Sequence, residues 1–322
     1  MTAGFAGRRV LVTGATGFVG SALVRALLSE SAEVHGLSRG RSDAWRLQGL
    51  GRGLHLHESD LTDAAAVLAV FRRVRPALVF HAATFRPVDG DMAAMAAAHV
   101  LGTAHLLTAA CELRPQRLVH LTTNLEYGEE TRPLTEDLCP RPSTAYGVTK
   151  LAATRLVQHL AAAERLSTIV LRLFHVYGPG EPPTRLVPAA IRAGLAGGEL
   201  PLTQGTWRRD YVFVADVVDA CLRAASWPAA TGQIVNVGSG TQHSNAEVVR
   251  LVRRLTGGRL VLRRGQYPAR ARDRRHWVAD VRRAQELLGW MPRHSLEKGL
   301  VETIAWTRAG GWDRPAGSMR PA

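Results

Sequence analysis

Tyr146 and Lys150 are the two residues in this chain whose types and spacing best suit proton transfer. They are four residues apart in a segment that favours helix, so both side chains are expected on one helix face. An unperturbed phenol titrates near ~10, and a neighbouring ammonium lowers that pKa towards neutral pH, as proton exchange with a carbonyl or alcohol requires. A solvated surface pair is the alternative. Because the only other lysine is Lys298, a lysine kept here in so arginine-rich a chain favours the chemical interpretation.

A glycine-rich turn lies near the start of the chain. Residues 13–20 read Thr-Gly-Ala-Thr-Gly-Phe-Val-Gly, between an apolar run and a helical pattern. Glycines there allow a tight bend, close approach of the backbone to a diphosphate, and packing of helix against strand, while the helix N-terminus offers N–H donors. The turn predicts a bound dinucleotide, held by Gly14, Thr16, Gly17, Phe18, Val19 and Gly20.

Strand and helix patterns alternate through the first half of the chain. Apolar runs predict strands near Val10–Thr13, Glu33–Leu37, Leu54–His57, Leu78–His81, Arg117–Leu121 and Thr168–Leu173. Helical patterns between them lie near Phe18–Ser29, Asp63–Arg73, Asp91–Leu113 and Ser143–Arg165. Such alternation predicts an α/β fold with a doubly wound, Rossmann-like parallel sheet, and ligands at the carboxyl ends of its strands.

After Tyr177 the pattern becomes less regular. Helices are predicted near Leu186–Ala196, Val214–Ala225, Asn245–Thr256, Asp280–Leu288 and Leu296–Ala309, with a strand at Ile234–Val237. We therefore expect a dinucleotide-binding domain over residues 1–176 and a smaller, partly interleaved α/β substrate lobe over 177–309. Residues 310–322, rich in Gly, Pro and Arg, are expected to form a flexible tail.

Composition narrows the possible classes of protein. The chain has 322 residues, 46% of them hydrophobic, which suits an ordinary globular core. We expect no leader, no apolar stretch of the ~18 residues that span a bilayer and no membrane partner. Three dispersed cysteines fit a cytoplasmic location and predict no metal site. The net charge of +14 is spread along the chain, so no nucleic-acid partner is predicted.

Further segments complete a recognisable set of motifs. They are residues 122–128, which carry Thr123 and end in Tyr-Gly; residues 172–180, Arg-Leu-Phe-His-Val-Tyr-Gly-Pro-Gly; residues 207–212; and residues 289–292. With the glycine turn and Tyr-x-x-x-Lys, they resemble the extended short-chain dehydrogenase/reductase family, in its nucleotide-sugar epimerase/dehydratase/reductase branch, over about residues 8–309.

The resemblance implies roles for individual residues. The catalytic set would be Thr123, Tyr146 and Lys150, of which the last two would also contact the cofactor. Asp60 and Leu61 would lie at the adenine, and His81, Ala82 and Ala83 along the cofactor. A nucleotide-diphosphate sugar would contact Asn124, His175, Arg209 and Arg270, where the arginine forks suit a diphosphate. A homodimer formed through the helices near Asp91–Leu113 and Ser143–Arg165 is also implied.

Departures from the family pattern narrow the choice of cofactor and of reaction. Ser38, Arg39 and Arg41 follow the second strand where a carboxylate would favour NAD, so NADP(H) is predicted, with NAD(H) possible. Where the dehydratases carry acids, the chain has Asn124 and Leu125. Glu126 is one position away and is expected to point in the other direction, so a dehydratase is not predicted.

Two histidines stand where the family often has Asn. His99 is expected to be a hydrogen-bonded structural residue. His175, at the lobe junction, is the candidate for a substrate contact or a second acid–base group.

Three functions follow from these motifs. The first is reduction of the C4 ketone of a nucleotide-linked 4-keto-6-deoxyhexose by NADPH, with Tyr146 as proton donor. The second is 4-epimerisation of a nucleotide sugar with a tightly bound NAD(P). A non-catalytic dinucleotide-binding regulator is the third, and the complete set of Thr123, Tyr146 and Lys150 argues against it.

Overall fold

A seven-stranded parallel sheet forms the centre of the molecule. The computed structural model describes residues 4–40, 44–51, 53–85, 90–228, 232–266 and 277–312. Its strands are β1 Arg9–Thr13, β2 Glu33–Ser38, β3 Leu54–Glu58, β4 Leu78–His81, β5 Arg117–Thr123, β6 Thr168–Leu173 and β10 Gln233–Val237. Their order across the sheet is β10-β6-β5-β4-β1-β2-β3. The predicted Rossmann-like sheet and its first six strands are confirmed, with ends that differ by at most two residues.

Helices cover both faces of this sheet, because its strands carry apolar side chains on both sides. One face packs against α1 (Phe18–Ser29), α7 (Val214–Ser226) and α9 (Arg282–Leu288). The other face packs against α2 (Ala64–Val74), α4 (Gly102–Leu113) and α5 (Ala145–Ala163). All seven strands of the sheet run parallel, which brings their carboxyl ends to one edge.

Smaller sheets and three helices build the second lobe. Strands β7 (His175–Tyr177), β9 (Arg208–Phe213) and β11 (Gln242–Ser244) form one sheet, and β8 (Glu199–Pro201) pairs with β12 (Val261–Arg263). Helices α6 (Leu186–Ala196), α8 (Asn245–Leu255) and α10 (Leu296–Arg308) pack with them. The sequence patterns did not predict these five strands. Strand β10 was predicted, and it returns to the central sheet beside β6.

The helical run Met92–Leu113 contains one wide turn. It begins as α3 (Met92–Ala96), passes through a π turn over Ala97–Leu101, and continues as α4. By length and composition the run could cross a membrane, so the expectation that no apolar stretch has that length was wrong. Within the fold, 44% of its most apolar window is buried, and α4 packs against α2 and α5.

The glycine turn brings β1, α1 and β4 into close contact. Gly14 has a φ of +68°, and a Cβ there would lie 2.7 Å from the Cα of Ala83. A Cβ at Gly20 would lie 2.1 Å from the carbonyl oxygen of Gly14. Only residues without a side chain allow this approach, and the resulting side-chain-free turn at the N-terminus of α1 fits a diphosphate.

Replacing Gly20 with Ala should therefore move α1 away from the turn. We expect a loss of roughly 2 kcal/mol or more in the free energy of unfolding, and weaker binding of NAD(H), because backbone must shift to relieve the contact. Urea unfolding and a cofactor titration measure the two effects. The matched control is Gly51→Ala, since nothing lies within 4 Å of a Cβ at Gly51. Equal effects of the two substitutions would contradict the argument.

Candidate active site

The predicted catalytic residues meet in one cleft at the carboxyl ends of the strands. Thr123 ends β5, and Tyr146 and Lys150 lie in the first two turns of α5. All three line a cleft of about 890 Å³, together with Asn124. Ligands of doubly wound folds bind at this edge.

Local sequence explains why α5 approaches β5 so closely. Thr144 caps the helix, since its hydroxyl accepts a hydrogen bond of 3.1 Å from the backbone N–H of Gly147. A Cβ at Gly147 would lie 2.5 Å from the carbonyl oxygen of Leu125. Glycine at this position lets the first turn of α5 rest against the segment that follows β5, which places Tyr146 on the same cleft wall as Thr123.

Lys150 is buried beneath the cleft. Lys150 is 3% exposed, and its Nζ donates a hydrogen bond of 2.9 Å to the carbonyl oxygen of Leu121. Burial lowers the pKa of Lys150 to about 8, while the nearby charge of Glu126 opposes that shift. At neutral pH the ammonium is therefore the major form, and its charge lies beside Tyr146.

Glu126 is turned away from the cleft, as its position relative to Thr123 predicts. Its carboxylate is fully buried and accepts two hydrogen bonds from the Arg172 guanidinium, of 2.6 and 2.9 Å. The hydroxyls of Thr122 and Thr154 also donate to it. All of its lone pairs are thus directed at protein groups, and no part of it lines the cleft.

On the cofactor side, the glycine turn and Ala82 line the same cleft. Arg39 follows β2 and lies over the ring of Phe85, with its guanidinium carbon 4.7 Å from the ring centroid. Hydrogen bonds from Thr62 lower the pKa of Asp60, and the charge of Arg39 contributes. Asp60 and Arg39 therefore lie near each other at the carboxyl ends of β3 and β2. Arg41 lies outside the described residues.

The remaining predicted cofactor residues are packed into the fold. Ser38 is buried and donates to the carbonyl of Gly40, and Leu61 is 8% exposed. The His81 imidazole is 2% exposed and bonds to the hydroxyls of Thr13 and Thr103, at 2.7 and 2.9 Å. The His81 ring is thus held inside the fold, and of residues 81–83 it is Ala82 that lines the cleft.

The second lobe supplies the opposite wall. His175 in β7 packs edge-on against the ring of Tyr211, with centroids 4.8 Å apart. Arg209 in β9 lies over Trp277, with its guanidinium carbon 5.1 Å from the ring centroid, a cation–π contact. Both side chains line the cleft with the catalytic residues. Arg270 lies outside the described residues.

Some residues of the cleft wall were missed by sequence reasoning. Glu181, Arg185, Thr84 and Tyr211 all line it. Glu181 is 2% exposed, its Oε2 has no hydrogen-bond partner, and burial raises its pKa to about 8. The sequence signal that could have pointed to Glu181 was the presence of an acidic residue inside the turn-rich segment 178–183.

Comparison with known proteins agrees with this geometry. A model of the NAD-dependent epimerase/dehydratase family matches residues 10–238. The chain belongs to that family.

Relatives of this family are similar over nearly their whole length. UDP-glucose 4-epimerase of Mycolicibacterium smegmatis is 33% identical, over 93% of this chain and 98% of the relative. The dTDP-6-deoxy-L-talose 4-dehydrogenase (NAD(P)+) of Kitasatospora kifunensis is 34% identical, over 93% and 95%. The solved structure of MoeE5 with UDP-glucuronic acid and NAD is 36% identical, with a TM-score of 0.85 and coverage of 94% and 99%. The chain is thus an enzyme of the extended short-chain dehydrogenase/reductase type, in its nucleotide-sugar branch.

The buried carboxyl of Glu181 predicts a pH-dependent stability. Its pKa is raised in the folded state, so the folded protein binds more protons than the unfolded chain between about pH 4.5 and 8, and stability falls as pH rises through that window. Glu181→Gln should therefore gain roughly 2–4 kcal/mol over wild type at pH 8 and little at pH 5. Urea unfolding at both pH values tests this, with Glu58→Gln, an exposed site on β3, as control. A gain that is equal at both pH values would contradict it.

Proposed function

We propose that this enzyme transfers a hydride at C4 of a nucleotide-diphosphate sugar, with Tyr146 as its acid–base group. The observation that carries the proposal is the convergence of Thr123, Tyr146 and Lys150 on one cleft, while the carboxylate closest to Thr123 along the chain, Glu126, is tied to Arg172. Abstraction of a carbon-bound proton, as in dehydration, needs an ionised base. Glu126 is paired, and burial raises the pKa of Glu181, which lines the cleft, to about 8, so its carboxyl is mainly protonated at neutral pH. Exchange of a hydroxyl proton needs only the phenol.

In this mechanism Thr123 donates a hydrogen bond to the sugar O4 and orients it. The O4 proton passes to the Tyr146 oxygen as the C4 hydrogen leaves as hydride, which gives a C4 ketone. Lys150 supports the phenolate electrostatically from beneath. Nicotinamide supplies the hydride acceptor when it is bound, and the side-chain-free cradle of Gly14 and Gly20 fits its diphosphate.

We place 4-epimerisation first among the reactions that use this step. Return of the hydride and proton to the opposite face of a rotated ketone sugar gives the C4 epimer with no net redox change. The relatives support this choice, since one of them is a UDP-glucose 4-epimerase and another is solved with NAD and a UDP-sugar. Arg209, positioned over the Trp277 ring, is suited to bind the diphosphate of such a substrate.

A specific observation favours reduction of a 4-keto sugar by NADPH as the second candidate. Arg39 follows β2 where a 2′-phosphate would lie, and no carboxylate accompanies it on that strand end. The relative from Kitasatospora kifunensis is a 4-dehydrogenase described as accepting NAD(P)+.

Two assays separate these reactions. With UDP-glucose and bound NAD, an epimerase forms UDP-galactose without a change in nicotinamide absorbance. With a dTDP-4-keto-6-deoxy sugar, a reductase consumes NADPH. Retained cofactor binding with neither reaction would instead identify a regulator.

Tyr146→Phe is expected to lower turnover on the order of 10²–10⁴-fold in whichever assay is positive, because the proton then has no exchange partner. Cofactor affinity should change little. Tyr177→Phe is the matched control, since that phenol bonds to a backbone carbonyl in the second lobe. Full turnover of Tyr146→Phe would end the proposal.

Arg39→Asp tests cofactor preference. If the guanidinium pairs with a 2′-phosphate, affinity for NADP(H) should fall about tenfold or more, while affinity for NAD(H) stays level or rises. Fluorescence titration of both reduced cofactors measures this. Arg25→Asp, on α1, controls for a general loss of positive charge. An unchanged preference would mean that Arg39 only packs on Phe85.

We also propose that the protein is a homodimer and that it is located in the cytoplasm. A homodimer would cover the exposed apolar residues Met92 and Leu101 of the helical run Met92–Leu113 and Val148 of α5. A cytoplasmic location is consistent with the free thiols of Cys111, Cys139 and Cys221.

A further inference from the structure

Tyr146 begins a chain of hydrogen bonds that leads away from the cleft. Its phenolic oxygen lies 3.0 Å from the Thr84 hydroxyl, and that hydroxyl lies 3.3 Å from Nε2 of His99. The backbone N–H of Phe85 donates to the same nitrogen at 3.0 Å. A ring nitrogen that accepts from a backbone N–H carries no proton. Nε2 of His99 is therefore an acceptor.

The other ring nitrogen confirms this assignment. Nδ1 of His99 lies 2.8 Å from the Thr149 hydroxyl. That hydroxyl donates to the helix carbonyls of Ala145 and Tyr146, at 3.0 and 3.2 Å. Because its own proton is committed there, it must accept from His99, so Nδ1 carries the imidazole proton.

The direction of the whole chain follows from that tautomer. With Nε2 unprotonated, the 3.3 Å contact between Thr84 and His99 is a hydrogen bond only if the Thr84 O–H donates, sharing the Nε2 lone pair with the Phe85 N–H. In that arrangement the Thr84 oxygen accepts from the phenol of Tyr146. Each bond then requires the next, and the chain holds the proton of Tyr146 on its phenolic oxygen.

His99 stays neutral in this position. The residue is 2% exposed, and burial together with the charge of Lys150 lowers its pKa to about 3. The titratable groups around it are Lys150 and Tyr146 of α5, His81 of β4 and His120 of β5. Burial also lowers the pKa of both other histidines. His99 thus acts as an acceptor across the working pH range and does not take the proton itself.

From this geometry we propose that Thr84 and His99 are positioning residues that stabilise the protonated form of Tyr146 while the sugar is a ketone. The inference rests on the proposed function. The reaction at C4 requires a protonated phenol while the sugar is a ketone, because the proton removed from O4 must stay on Tyr146 until it is returned. Lys150 favours the phenolate and the Thr84–His99 pair favours the phenol, and the two together set the pH at which Tyr146 exchanges its proton.

Substitutions can separate the two nitrogens of His99. His99→Gln keeps an acceptor near Nε2 and loses the donor near Nδ1, whereas His99→Asn keeps the donor and loses the acceptor. Thr84→Val removes the hydroxyl, and Thr84→Ser restores it.

The rate of single-turnover C4 oxidation is expected to rise with pH as Tyr146 loses its proton. The readout is the pH at the midpoint of that rise. Thr84→Val and His99→Asn should move that midpoint about 0.5–1 pH unit lower, because the phenol loses the partner that stabilised it. Thr84→Ser and His99→Gln should stay close to wild type. A midpoint that moves higher in Thr84→Val would mean that Thr84 supports the phenolate, and equal shifts in both His99 variants would mean that the ring only fills space. Either result would overturn the proposal.

A second measurement does not depend on turnover. Ultraviolet titration of the tyrosinate band, taken as the difference between each protein and its Tyr146→Phe counterpart, reports the same midpoint in the complex with NAD(H). The same order of variants is expected there. If no nucleotide sugar turns over but the titration shows this order, the proposed function fails and the hydrogen-bond inference stands. If the order is absent, the inference fails.

Discussion

A buried ammonium constrains the chemistry of this enzyme's cleft. Lys150 has a backbone carbonyl as its hydrogen-bond partner and a carboxylate, Glu126, as its nearby countercharge. That carboxylate is shared with the guanidinium of Arg172. Burial lowers the pKa of three histidines near it, His81, His99 and His120, and the charge of Lys150 contributes to each shift. Burial and this cation together keep the three imidazoles neutral, so they can accept or donate hydrogen bonds without adding charge.

The ion pair of Glu126 and Arg172 bears on whether a proton can be removed from carbon or only exchanged at oxygen. A carboxylate next to Thr123 and free in the cleft could remove a proton from carbon. Here the acid lies three residues after Thr123 and is paired on the far side of the strand end, with four hydrogen bonds that would all be lost if it turned. The chemistry that we propose for the cleft is exchange of a proton at oxygen, together with hydride transfer to a bound cofactor.

Sequence reasoning predicted the central sheet well and the second lobe poorly, for a physical reason. Parallel strands buried on both faces are continuous apolar runs, so β1 to β6 were recognisable. Strands β7, β8, β11 and β12 have three residues each, too few for a periodic pattern. The convergence of Thr123, Tyr146 and Lys150 was predictable because motifs at strand ends meet at one edge. Thr84 and Glu181 carry no motif, and their placement depends on contacts between distant segments.

The wide turn at Ala97–Leu101 has a consequence for how this helix evolves. A π turn holds one residue more than an α turn, and one residue corresponds to about 100° of rotation around the helix axis. The apolar faces of α3 and α4 are therefore out of phase by that angle relative to an uninterrupted helix. Deleting a single residue within the turn would restore regular winding while Met95 and Leu106, both buried, keep facing the interior. Chain length in this stretch can thus change by one residue without turning either apolar face, and homologues with a regular helix should be shorter by one.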